Sequence, residues 1–149
     1  MTSVKPQRLS VVTLGVSDLA RSREFYERWG WTPKQESDEI VFFEAGGLLL
    51  ALFDRSELAA DQNREGEELG TGAVTVAQAY PTEADVDSMY DRAVLAGARV
   101  LKRPVKTDWG GYSGYIADPD DHVWELIHVP YWDVEADGSV SIPEDDESA

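Results

Sequence analysis

Residues Asp108–His128 read DWGGYSGYIADPDDHVWELIH, and this pattern predicts two strands joined by a tight turn. Pro119 fixes its own φ angle, and the flanking Asp side chains can close local hydrogen bonds, as short turns require. The second strand carries one acidic residue, Glu125, within an otherwise apolar run. A carboxylate there needs a cleft, a cation or a hydrogen-bond partner, because burying it unpaired is costly. Glu125 is therefore the first candidate functional residue.

The same succession of elements occurs twice along the chain. An apolar, β-branched strand over 9–16 precedes an amphipathic helix over 19–29, and three further strands follow before residue 54. After a polar, acidic stretch, a strand, a helix and three strands return within 73–129. Such an internal repeat predicts two paired modules. The predicted boundaries are 1–132 for a single domain, 8–54 for module 1, 55–70 for a linker, 71–132 for module 2 and 133–149 for an acidic tail.

Local signals add detail to this prediction. Asp54 and Glu57 predict a capping box for a short helix within the linker, whereas the polar run over 61–68 predicts a mobile loop. Pro104 predicts the end of the strand that begins near Arg99. The tail has few apolar residues, so we expect it to be disordered or loosely docked. The predicted helix caps are Ser17 or Asp18 and Thr82 at the starts, and Gly30 and Gly97 at the ends.

Composition restricts the classes of partner. The formal net charge of −16 argues against nucleic acid, whose phosphates require a basic surface. No apolar run approaches the roughly 20 residues of a membrane span. No apolar signal-peptide core follows Met1–Pro6, so we expect a cytoplasmic protein that does not bind membranes. The chain has no Cys, which excludes thiolate nucleophiles and Cys-based metal sites. Its acidity favours solubility first and cationic ligands second.

Two segments carry a family resemblance. They are LGVSDLARS at 14–22 with the following Phe25 and Tyr26, and GGYSGY at 110–115 leading into DPDDHVWEL at 118–126. With the repeated element order, they make nearly all of the chain to Trp132 resemble the vicinal oxygen chelate superfamily of glyoxalases, bleomycin-resistance proteins and extradiol dioxygenases. The resemblance implies an α+β fold in which two βαβββ modules form a curved, eight-stranded mixed sheet with helices outside and an open cup inside.

The resemblance also implies where a divalent metal binds in the metal-dependent members. Four cup-facing strand positions hold the ion with His and Glu, and they correspond here to Val11, Ala51, Ala73 and Glu125. Only Glu125 is a ligand type, whereas a catalytic metal needs about three protein ligands. Strand alternation places both His122 and His128 on the face opposite Glu125. We therefore predict no cofactor, with a divalent metal as the alternative if other residues supply the ligands.

The remaining candidates are side chains expected to line the cup. Thr13 and Thr75 offer hydroxyl groups, and Phe53 offers an apolar wall. Trp109, Tyr112 and Tyr115 lie in or beside a Gly-rich loop, where their rings can stack on a planar or cationic ligand. Ordinary strand propensity and core packing are the competing explanations for these residues. The predicted ligand-binding set is Thr13, Phe53, Thr75, Trp109, Tyr112, Tyr115 and Glu125.

The sequence leaves three functions open. The first is a protein that binds a small, aromatic or cationic molecule in the cup without the usual metal, as a drug-sequestering protein does, with Glu125 as the anionic anchor. The second is an enzyme, a glyoxalase-like lyase, epimerase or dioxygenase, either metal-dependent or metal-free, with Glu125 as the catalytic general base. The third is a non-catalytic subunit whose cup has lost its ligand. The resemblance also implies a homodimer.

Overall fold

The structure, a computed structural model, describes residues 4–144. Two successions of strand, helix and three strands span 11–54 and 75–128, as the repeat predicted. The helices are α1 (Leu19–Trp29), α2 (Arg55–Asp61) and α3 (Glu83–Ala96). The strands are β1 (Val11–Val16), β2 (Gln35–Glu36), β3 (Ile40–Glu44), β4 (Leu49–Asp54), β5 (Thr75–Ala79), β6 (Arg99–Lys106), β7 (Tyr112–Ala117), β8 (Val123–His128), β9 (Asp133–Val134) and β10 (Val140–Ser141).

The eight module strands form two four-stranded mixed sheets. Their strand orders are β1-β4-β3-β2 and β5-β8-β7-β6, so that each module folds in the same way. In each sheet the first strand runs parallel to the last one, and the other pairs are antiparallel. The predicted α+β fold is confirmed. The strands are divided between two sheets, however, and no hydrogen-bonded ladder joins β1 to β5 within residues 4–144.

One hydrophobic core lies between the helices and one face of both sheets. Leu50 and Leu52 of β4 contribute to it, as do Trp124 and Leu126 of β8. The ring of Tyr26 on α1 lies 5.9 Å from that of Trp124, so helix α1 of module 1 packs against the sheet of module 2. Because strand side chains alternate, the intervening residues point away from this core. We call this second side the open face; it includes Thr13 and Ala51 in the first sheet and Ala77 and Glu125 in the second.

A buried polar network fixes the two modules against each other. The turn between β7 and β8 places two carboxylates against α1. Asp118 accepts a hydrogen bond from the Tyr26 hydroxyl at 2.6 Å. Asp120 accepts hydrogen bonds from the Ser17 backbone N–H at 3.0 Å, the Ser17 hydroxyl at 2.7 Å and the Ser22 hydroxyl at 3.1 Å. The turn that Pro119 predicted therefore sets the relative position of the two open faces.

The two carboxyl groups of this network differ in their pKa values. Burial raises the pKa of Asp118 above its ordinary value of 3.8, although the Tyr26 hydroxyl acts in the opposite direction. Burial also acts to raise the pKa of Asp120, but the hydrogen bonds from Ser17 and Ser22 outweigh it, and that pKa is lowered. Hydrogen bonds therefore stabilise the ionised form of Asp120 inside the protein. Ionisation of Asp118, by contrast, lowers the stability of the folded state.

One local expectation proved wrong. Strand β6 continues through Pro104 to Lys106, because it is the edge strand of its sheet, and its register shifts between Lys102 and Val105. Of the two states expected for the tail, residues 133–141 do not show disorder, because β9 and β10 form an antiparallel hairpin there. A side chain at Gly46 would place its Cβ 2.5 Å from the Asp137 carbonyl oxygen, so this hairpin rests on module 1. The predicted tail residues 145–149 lie outside the described residues.

No helix among residues 4–144 is long and apolar enough to cross a membrane.

Candidate functional site

Glu125 lies in a cross-strand row on the open face of the second sheet. It is directly opposite Ala77 of β5 and Tyr115 of β7, and Lys102 of β6 is opposite Tyr115. The Tyr115 hydroxyl donates a hydrogen bond to the Glu125 carboxylate, and this bond raises the pKa of Tyr115 above 10.0. The phenol therefore keeps its proton at neutral pH. The row presents a carboxylate acceptor and a phenol donor side by side, both half-buried.

An open cavity of about 440 Å³, a volume within the usual range for ligand sites, is lined in part by Val123 of β8. We call it the linker cavity, because α2 and residues 69–74 of the linker form one wall of it. Thr13 of β1 and Val123 of β8 line the opposite wall. Glu125 lies two residues beyond Val123 on the same face, a separation of roughly 7 Å along a strand. The cavity wall at Val123 and the Glu125 row therefore share one face of β8.

A glycine on β1 allows α2 to lie over the open face. A Cβ atom at Gly15 would lie 3.2 Å from Leu58 Cδ2 and 3.5 Å from Arg55 Cγ, so a larger side chain there would press against α2. Asp54 caps α2 by accepting hydrogen bonds from the backbone N–H groups of Ser56 and Glu57, as predicted. The sequence predicted this short helix but assigned it no part in the site.

Both histidine rings are bound to backbone carbonyl groups. His122 Nε2 lies 2.7 Å from the Gly15 carbonyl oxygen, and His128 Nδ1 lies 2.9 Å from that of Tyr80. A carbonyl oxygen only accepts hydrogen bonds, so each of these ring nitrogens carries a proton. A protonated ring nitrogen cannot bind a metal, and these two atoms are therefore unsuitable as ligands.

The residues present do not fit the metal site of the superfamily. Val11 and Ala51 occupy the open face of the first sheet, and Ala73 precedes β5, so three of the four corresponding positions lack a ligand atom. Between residues 4 and 144, no group of three or more His, Asp or Glu side chains is arranged to hold a metal ion. The functional groups of this site are therefore the side chains of this chain.

The structure places the two predicted threonines differently. Thr13 is opposite Ala51, lies on the open face and lines the linker cavity. Thr75 is opposite Val123, so it lies on the open face but two residues short of Glu125. The residue opposite Glu125 on the first strand of module 2 is Ala77. The first strands of the two modules therefore pair in different registers, which their aligned sequences do not reveal.

The aromatic candidates are not all brought together. Phe53 is opposite Gly15 on the open face and is half-buried beside the cavity. Trp109 lies in the β6–β7 turn with 49% of its surface exposed, at the end of β8 away from the cavity. Tyr112 faces α3, and its hydroxyl donates to Asp87 Oδ1 at 2.6 Å, which raises the pKa of Tyr112 to about 12. Only Tyr115 adjoins Glu125.

Comparisons with known proteins identify the family to which the chain belongs. The model of the Glyoxalase/Bleomycin resistance protein/Dioxygenase superfamily matches residues 8–126. A glyoxalase-related enzyme from Fulvimarina pelagi is 35% identical, with a TM-score of 0.84 over 93% of this chain and 99% of that one. A lactoylglutathione lyase from Agrobacterium tumefaciens is 25% identical, with a TM-score of 0.67 over 88% of this chain and 100% of that one.

A curated relative from Mycobacterium bovis, an uncharacterized protein, is 33% identical over 73 residues, which are 49% of this chain and 46% of that protein. The chain thus matches less than half the length of this relative. The family model, by contrast, covers both modules and the β7–β8 turn. The chain belongs to the Glyoxalase/Bleomycin resistance protein/Dioxygenase superfamily.

Proposed function

We propose that this protein binds a small amphipathic molecule on the open face, between the linker cavity and Glu125, without the usual metal. The observation that carries the proposal is the Glu125–Tyr115 pair, which shares a face of β8 with Val123 in the wall of a cavity of about 440 Å³ with a largely apolar lining. Such a surface buries an apolar ligand body and offers a few placed polar groups, as small-molecule sites do. Val11, Ala51 and Ala73 support the metal-free part of the proposal.

The charges around Glu125 favour a ligand with a cationic or hydrogen-bond-donating group. Within residues 4–144, no Lys, Arg or His forms an ion pair with Glu125. Lys102 lies beyond Tyr115 and is exposed to solvent. The Glu125 carboxylate is therefore available to a ligand, and the neighbouring Tyr115 ring offers a surface for an aromatic or cationic group.

A fragment screen with thermal melting as the readout tests the proposal. We expect a subset of aromatic amines to raise the melting temperature of the wild type, since a ligand that binds only the folded state stabilises it. Glu125→Gln should remove this shift. Glu24→Gln is the matched control, because Glu24 lies on the exposed side of α1 and, among residues 4–144, pairs only with Arg28. Equal shifts in all three proteins would exclude Glu125 from the site.

The Glu125–Tyr115 hydrogen bond favours one alternative, a metal-independent enzyme. Glu125 would remove a proton from a carbon next to a bound carbonyl group, and the Tyr115 hydroxyl would donate a hydrogen bond to the developing oxyanion. The abstracted proton would reside on the Glu125 carboxylate and exchange with solvent. Enzyme-dependent incorporation of deuterium into a bound carbonyl compound, absent in Glu125→Gln, would favour this alternative over binding alone.

A further inference from the structure

Arg55, the first residue of α2, is a cation at the wall of the linker cavity with most of its donors unused. Its Nη2 atom donates to the Gly15 carbonyl at 3.3 Å and lies 3.6 Å from Asp120 Oδ1. Its guanidinium makes no other hydrogen bond or ion pair with residues 4–144, so Nε and Nη1 remain available. The side chain is 32% exposed, which leaves it accessible to a ligand yet partly shielded from water.

The charge of Arg55 is not neutralised by Asp120 alone. Asp120 Oδ1 also lies 3.3 Å from Arg21 Nη2, so one carboxylate serves two guanidinium groups. That oxygen already accepts hydrogen bonds from the backbone and side chain of Ser17. Among the described residues no other carboxylate lies within 4.0 Å of Arg55. One positive charge is therefore in excess beside the cavity, despite the acidity of the whole chain.

The other residues that line the linker cavity indicate which part of a ligand would contact the Arg55 guanidinium. Leu58, Leu69 and Val76 give the cavity an apolar lining. Arg64 also lines it, but Glu67 Oε2 and Gln62 Oε1 each lie 3.0 Å from its guanidinium. The Arg64 charge is thus paired with Glu67, whereas Arg55 has no carboxylate of its own among the described residues.

We infer that the ligand carries a carboxylate, which binds Arg55 through Nε and Nη1, while its apolar body lies over Leu58 and Val123. This inference rests on the proposed function and adds an anionic group at the end of the ligand opposite Glu125. A planar guanidinium suits a carboxylate because two parallel N–H groups can meet its two oxygens. The ligand class is then an apolar carboxylic acid with a donor or cationic group at its other end.

A pair of probes of equal shape tests the inference. Naphthalene-2-acetate and naphthalene-2-acetamide differ in charge and in little else. Titrations of the full chain, followed by the amide NMR signals of Thr13, Gly15 and Leu58, give the two dissociation constants. We expect the wild type to bind the carboxylate about tenfold more tightly than the amide, because only the carboxylate forms a charge-assisted pair of hydrogen bonds with Arg55.

Substitutions test whether Arg55 causes the preference for the carboxylate probe over the amide probe. Arg55→Gln should bind both probes equally, and Arg55→Lys should retain part of the preference, which guards against a folding defect in the first variant. Arg21→Gln is the matched control, because Arg21 shares Asp120 but does not line the cavity. It should preserve the preference. An unchanged preference in Arg55→Gln, or equal binding by the wild type, would overturn the inference and leave small-molecule binding intact. Binding of neither probe to the wild type would count against both proposals.

Discussion

Replacing Tyr26 with Phe removes one buried hydroxyl group that serves two hydrogen bonds between the modules. The hydroxyl donates to Asp118 Oδ2 at 2.6 Å and accepts from Trp124 Nε1 at 2.9 Å. Burial and the neighbouring Asp118 charge raise the pKa of Tyr26 well above 10.0, so the hydroxyl stays protonated over the useful pH range. The variant keeps the aromatic ring, and the change is therefore confined to the network.

The expected cost is about 4 kcal/mol in the free energy of unfolding at pH 7. Loss of a hydrogen bond to a charged group accounts for about 1.5–3 kcal/mol, and an unsatisfied buried indole N–H for about 1–3 kcal/mol. No cavity of methyl size forms, because only one oxygen atom is removed. The total is a large part of the roughly 5–15 kcal/mol that stabilises a typical domain.

The cost should also depend on pH. The raised pKa of Asp118 means that the folded protein keeps a proton that the unfolded chain releases above about pH 3.8, so Asp118 lowers stability as the pH rises through its folded pKa. Tyr26 opposes this effect because its hydroxyl stabilises the ionised form. The Tyr26→Phe deficit should therefore be largest at pH 7 and smaller below the folded pKa of Asp118.

Urea unfolding followed by far-ultraviolet circular dichroism measures both effects. Tyr131→Phe is the matched control, because the Tyr131 side chain is 60% exposed, and it should change the stability by less than about 0.5 kcal/mol. A loss of less than about 1 kcal/mol in the free energy of unfolding of Tyr26→Phe would refute the assigned network, because about 1 kcal/mol is the net contribution of a single hydrogen bond. A deficit of equal size at pH 7 and pH 4 would refute the role given to Asp118.

Three further predictions concern the neighbouring features. Asp120→Asn should lower the free energy of unfolding by about 3 kcal/mol at pH 7, because the hydrogen bonds from Ser17 and Ser22 lose their charged acceptor. Since the pKa of Asp120 is lowered, this deficit should shrink as the pH falls below 3.8, which acid-range urea unfolding would detect. Gly46→Ala should displace the β9–β10 hairpin, whereas Gly47→Ala should not, because nothing lies within 4 Å of a Cβ there; amide exchange at Glu135 distinguishes them. Gly15→Val should fill the linker cavity and abolish the naphthalene-2-acetate NMR shifts while the protein still melts cooperatively; retained shifts would place the ligand elsewhere.

The elements of the fold follow from local signals in the sequence. Asp18 and Thr82 each accept a hydrogen bond from a backbone N–H three residues later, which begins α1 and α3. Gly30 and Gly97 end these helices with positive φ angles of 123° and 115°. These signals act within one helical turn, and the sequence alone could therefore locate them. The strand through Pro104 could not be predicted, because its position at a sheet edge is a property of the whole topology.

The candidate site was only partly predictable. The sequence identified Glu125 by its unusual place in an apolar strand, and Tyr115 proved to be its neighbour. Tyr112 and Tyr115 lie three residues apart on β7, so strand alternation requires opposite faces. The sequence prediction grouped both tyrosines in or beside a Gly-rich loop and did not apply the alternation to them. Arg55 and the cavity wall at 69–74 had no detectable signal, because the polar linker has no periodic pattern and α2 takes its position from contacts with β1 and β4.

Elemental mass spectrometry tests metal-independent binding most directly. The protein would be purified without chelators or an affinity tag, as wild type and as Glu125→Gln, and melted with and without added nickel, zinc, manganese, cobalt or iron. We predict no stoichiometric metal in either protein and no stabilisation by any of the ions, with fragment binding preserved in chelator. One metal ion per wild-type chain, lost in Glu125→Gln, would contradict metal-independent binding and make Glu125 a metal ligand.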